Sequence, residues 1–80
     1  MSERMENLGH RETLLVQRKR LVMEAESHRE SLRAALPLHA DIDLLDADRI
    51  MELGIALSEK LRELGGLNRK LAILNRELGL

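Results

Sequence analysis

Ile50, Leu57, Leu64, Leu71 and Leu78 recur seven residues apart, and Leu53, Leu67 and Leu74 fill three of the four positions three residues on. Side chains repeating every 3.5 residues stay on one side of a slightly underwound helix, so this stripe needs a second helix to cover it. A looser pattern occupies the N-terminal half. Leu14, Leu15, Leu21, Val22, Ala25, Leu32, Ala35 and Leu36 follow the i, i+3, i+4, i+7 spacing of one buried face, broken by Arg18, His28 and Arg29. The pattern predicts a first helix over about 9–36, with Ser2 as an alternative start. Pro37, the only proline, ends it, because proline lacks an amide hydrogen and disfavours helical geometry in the preceding residue. A hinge over 37–45 follows. Asp46 is then the expected N-cap and Asp48 a dipole-favouring acid in the first turn of a second helix over about 46–78. Gly65 and Gly66 sit inside that helix and cost roughly 2 kcal/mol relative to alanines, so they mark either a tolerated weak point or a close helix approach.

Folding the chain back at Pro37 gives an all-α fold: one domain over 1–80, an antiparallel, coiled-coil-like helical hairpin. Pairing Leu36 with Ile50 makes facing residue numbers sum to about 86. Leu15 then faces Leu71, Val22 faces Leu64, Leu8 faces Leu78 and Ala25 faces Leu61. A second row sets Leu32 against Gly54, Arg18 against Asn68 and Arg11 against Asn75, while Glu24 comes opposite Arg62 and Glu26 opposite Lys60. The expected core and dimer seam is Leu15, Val22, Leu32, Ile50, Leu53, Leu57, Leu64, Leu67, Leu71, Leu74 and Leu78. One hairpin leaves the edges of both stripes wet. Two hairpins packed as a homodimeric four-helix bundle would cover them.

Composition narrows the chemistry. Eighty residues bury a modest share of their surface alone, and with no cysteine and no Cys/His cluster the usual staples of small domains are missing, so association is the expected remedy. There is no Phe, Tyr or Trp, hence no base-stacking platform or aromatic cage. Thirteen Lys and Arg against 14 Asp and Glu give a net charge of −1, so no global field attracts nucleic acid or anionic lipid. No stretch approaches a signal peptide or a membrane span, and the expected location is the cytoplasm.

The hinge sequence DIDLLDADRIME places Asp41, Asp43 and Glu52 at positions 1, 3 and 12 of a calcium-loop pattern. It departs at Leu45 and Asp46, where a ligand and a turn glycine belong, so no calcium is expected. His10, His28 and His39 have no partner at metal-ligand spacing, and no metal or cofactor is expected. Nothing supplies a base held by a third group in a dry pocket, which argues against an enzyme. Arg4, Arg11 and Arg18 at heptad spacing, with Lys19 and Arg20, form the candidate nucleic-acid contact, against which stand Glu3, Glu6 and Glu12. A DNA-binding zipper is excluded, because the residues before the leucine heptad, DADRIMEL, are acidic where a basic region belongs.

The stretch LLDADRIMELGIALSEKLRELGGLNRKLAILN, with its acidic residue before a helix, Glu59, Lys60 and spaced leucines, resembles flagellar export chaperones. That resemblance implies a helical protein shielding an aggregation-prone client. The segment LSEKLREL resembles the SQELD signature of small two-helix phosphatases that act on sporulation regulators. Ser58 and Leu61 match, whereas the signature's glutamine, glutamate and functional aspartate are Glu59, Lys60 and Arg62 here, which leaves the hairpin architecture without the chemistry. The expected function is a non-enzymatic interaction or adaptor module, a homodimeric hairpin presenting a helical surface to a protein partner. The alternatives are an RNA-binding bundle using the N-terminal arginines, an export-chaperone-like protein, and a small response-regulator phosphatase.

Overall fold

Ser2 caps the first helix: its hydroxyl oxygen accepts the Met5 N–H at 3.2 Å, and Glu3 and Glu6 place negative charge in the first turn. In the computed structural model, which describes residues 2–80, α1 accordingly spans Glu3–Ala34. It starts six residues before position 9. The cost of Gly9 inside a helix, about 1 kcal/mol, is offset by the cap and by the turn that continues through it. The helix also stops two residues before Leu36. Pro37 disfavours helical geometry at Leu36, and the last turn tightens, with the Ala35 N–H shared between Ser31 O and Leu32 O and the Leu36 N–H on Arg33 O. Within the hinge the Ala40 N–H reaches Pro37 O, and a short 3₁₀ turn covers Ile42–Leu44.

α2 spans Ala47–Leu78 and opens as the sequence predicts, on the Asp46 side chain, which accepts the Arg49 N–H at 3.1 Å. Its other end is closed by Gly79 at φ 74°, a left-handed position that suits glycine. The Gly79 N–H bonds Arg76 O and the Leu80 N–H bonds Asn75 O, which satisfies two of the carbonyls a helix end leaves open.

The two helices pack antiparallel into a rod measuring 61 × 17 × 15 Å. Its most buried cluster is Leu14 and Leu21 from α1 with Leu67, Leu71, Leu74 and Leu78 from α2, running from the open end of the rod to about the middle of the helices. Nearer the hinge only Ala25 and Leu53 are buried. Of the expected seam, Leu53, Leu67, Leu71, Leu74 and Leu78 are buried, while Leu15, Val22, Leu32, Ile50, Leu57 and Leu64 are half-buried. The centre of the α1 face therefore lies one residue earlier than the Leu15 and Val22 layers place it, on Leu14 and Leu21. Adjacent helical residues differ by 100° in direction, so only one of each apolar pair can point into the core while its neighbour flanks it.

The paired glycines are not sites of close approach inside the hairpin. A Cβ built on Gly65 or Gly66 meets only the flexible Arg69 guanidinium, at 3.8 Å, and one on Gly54 meets nothing within 4 Å.

Candidate interaction surface

Three arginines one heptad apart run along the edge of the α1 seam and reach across to α2. Arg11 Nε donates to Asn75 Oδ1 at 2.6 Å, Arg18 Nε to Asn68 Oδ1 at 2.9 Å, and Arg4 Nη1 to the Leu78 carbonyl at 3.1 Å. The first two are the pairs that a sum of 86 requires. The third was visible only as a heptad repeat in the sequence, and it satisfies another terminal carbonyl of α2. Each guanidinium lies at the rim, where the stem covers apolar surface and the head keeps access to water. Arg4, Arg11 and Arg18 are thus engaged within the hairpin, whereas Lys19 and Arg20 are exposed, Arg20 lying 3.8 Å from Glu24 and lining the cleft between the helices on the other edge.

The opposite edge carries a different ion pair from those a facing-number sum of 86 suggests. Glu24 pairs with Lys60, at 2.8 Å, instead of Arg62 with Glu24 and Lys60 with Glu26. The register gives height along the axis, but direction decides reach: Glu26 lies exposed at the rim of one edge and Arg62 lines the cleft beside Arg20 on the other, so neither meets its facing partner. The hydrogen bond from Lys60 holds the Glu24 carboxyl below its ordinary value of 4.5 and, reciprocally, holds the Lys60 ammonium above 10.5.

These two edges differ in character. The Glu24–Lys60 side is the more polar, its shallow cleft rimmed by Gln17, Arg20, Arg62, Glu63 and Lys70 around Gly66, over the core leucines Leu21 and Leu67. On the arginine side the hinge-proximal part carries an apolar groove, lined by Val22, Ala25, Leu57, Leu61 and Leu64 with Glu26 and Arg29 at its rim. Leu61 is 52% exposed, although it belongs to the row that faces Ala25. Leu15 continues the groove along α1, and Leu32, Leu36 and Leu38 continue it toward the hinge beside Arg29 and Arg33. Elsewhere Val16 and Met23 are exposed seven residues apart on the outer side of α1, and Leu38, Ile42 and Leu44 are exposed at the hinge.

Among the described residues no three His, Cys, Asp or Glu side chains gather in a way that could hold a metal ion, and no helix is long and apolar enough to cross a membrane. Comparison with known protein families, with curated proteins and with solved structures finds no match for this chain. The resemblances to export chaperones and to sporulation phosphatases therefore rest on the quoted residues alone.

Proposed function

We propose that this chain is a non-enzymatic interaction module: a helical hairpin that forms a homodimeric four-helix bundle through its apolar edge and offers its outer helical surface, including Val16 and Met23, to a protein partner. The observation that carries this reading is the asymmetry of the two edges. One is closed by the Glu24–Lys60 pair and rimmed with polar side chains, while the other leaves Val22, Leu57, Leu61 and Leu64 partly wet. Covering the exposed half of such a side chain contributes on the order of 1 kcal/mol each, and a twofold dimer counts every one twice. The size and shape of the chain support the same reading, since a rod 15–17 Å across has little interior of its own.

Sedimentation at tens of micromolar tests it, with the wild type running as a dimer. Leu61→Glu should run as a monomer with unchanged helical circular dichroism, because a half-exposed position in the isolated hairpin tolerates a charge that a dimer interface does not. A monomeric wild type refutes the module as proposed, and a dimeric Leu61→Glu moves the interface elsewhere.

The RNA-binding alternative draws on Lys19 and Arg20 together with whatever charge the three engaged arginines still present at the rim, since amide and carbonyl acceptors do not neutralise them. Salt-dependent retention of RNA would favour it.

A further inference from the structure

Charge is distributed very unevenly along the 61 Å rod. The hinge end, residues 30–52, holds six carboxylates (Glu30, Asp41, Asp43, Asp46, Asp48 and Glu52) against Arg33 and Arg49, a side-chain charge of −4. The opposite half, residues 2–20 and 62–80, holds nine Lys and Arg against five Glu, a charge of +4. The short middle segments carry the remaining −1. A nearly neutral chain is therefore a long electric dipole, and its hydrophobic groove runs along that dipole.

We infer that the second hairpin seated on the apolar edge is a copy of this chain lying antiparallel to the first, with the acidic hinge of each copy beside the basic open end of the other. This rests on the dimer proposed above and adds its orientation. A parallel arrangement would bring −4 against −4 and +4 against +4 at separations comparable to the screening length of about 8 Å at physiological salt, where like charges still repel. The antiparallel arrangement replaces both repulsions with attractions. With the ends of the two α2 helices, Ala47–Leu78, laid flush, Leu61 of one copy falls at the height of Leu64 of the other, while Leu57 falls at the height of Asn68, so the apolar grooves meet over their central part and the charge pattern sets the orientation.

The chain has no cysteine, so one spin label on His39→Cys, at the exposed hinge, reports the orientation directly. Antiparallel hairpins place the two labels roughly 50 Å apart, about the length of a 32-residue helix, and parallel hairpins place them within about 25 Å. Charge reversal at the hinge gives a second reading, with Asp41→Lys and Asp43→Lys introduced together outside both α-helices. The antiparallel dimer should weaken several-fold in dissociation constant, and a parallel one would tighten. A short interlabel distance, or an unchanged or lower dissociation constant for the charge-reversed chain, overturns the orientation while the dimer stands. A wild type that sediments as a monomer overturns the dimer itself.

Discussion

The Arg11–Asn75 contact offers a sharp test of how the hairpin is held in register. The Arg11 side chain is 27% exposed and its Nε lies 2.6 Å from Asn75 Oδ1; its one ionic neighbour among the described residues is the well-exposed Glu12 carboxylate at 3.7 Å, which contributes little. Replacing Asn75 with leucine removes the amide oxygen and leaves a largely covered guanidinium facing an apolar side chain. A hydrogen bond to a charged group contributes about 1.5–3 kcal/mol, and the remaining access to water reduces that to about 1–2 kcal/mol lost. The reverse change is cheaper. In Arg11→Leu the orphaned amide is neutral and half-exposed, so water satisfies it, and the new leucine covers surface beside Leu14 and Leu15 for a net change near zero. The double variant should match or exceed the wild type, because removing both polar partners leaves nothing unsatisfied.

Urea unfolding followed by circular dichroism, at one fixed protein concentration because the stability of the proposed dimer would depend on it, measures all four corners of this cycle. With a slope on the order of 1 kcal/mol per molar for so small a chain, Asn75→Leu should lower the midpoint by about 1–2 M, and the double variant should recover it. Strictly additive losses would show that the two residues do not interact, and the register argument built on their row would fail with them.

Gly66→Ala should raise stability by about 1 kcal/mol and the melting temperature by several degrees, since the added methyl meets only the Arg69 guanidinium; a fall would mean that something else packs there. The Glu24–Lys60 pair sets opposite pH limits. Its lowered carboxyl contributes stability that is present above 4.5 and is lost as pH falls through the folded-state value, while the raised ammonium contributes stability that is present below 10.5 and is lost as pH rises through its own. Glu24→Gln should flatten both limbs of the stability profile, and an unaltered acid limb would assign that limb to other carboxylates.

The heptad leucines of α2, the stop at Pro37, the Asp46 cap and the Arg11–Asn75 and Arg18–Asn68 pairs were all legible in the sequence. Each depends on spacing or on backbone chemistry that is local to the chain. Direction around the helix was harder to read. Leu14–Leu15 and Leu21–Val22 offer two stripes of nearly equal apolarity 100° apart, and the choice between them is made by which one α2 covers. The same ambiguity hid the Glu24–Lys60 pair, whose members sit at slightly different heights but on one edge. The early start of α1 was underestimated because the cost of Gly9 is visible in the sequence, whereas the hydrogen bond from Met5 to Ser2 that helps offset it forms only once the turn closes. The polar and apolar edges of the hairpin become distinguishable only after both helices are placed, which is why the sequence could suggest a need for association but not the edge proposed for it.

The position of the buried leucines also bears on how the chain folds. In a hairpin, contacts next to the hinge close the shortest loops and cost the least entropy, so such structures are expected to zip from the turn outward. Here the buried cluster of Leu14, Leu21, Leu67, Leu71, Leu74 and Leu78 runs from the far end to about the middle of the helices, while the part nearer the hinge holds little beyond Ala25 and Leu53. Closing the longer loop from Leu14 to Leu71 costs only about 1 kcal/mol more than closing one near the hinge, because loop entropy grows with the logarithm of length. A single buried leucine outweighs that difference. The contacts that are easiest to make are thus the weakest, and a partly zipped hairpin has no favourable resting place. The rod should fold and unfold in one concerted step, with its open end acting as the clasp.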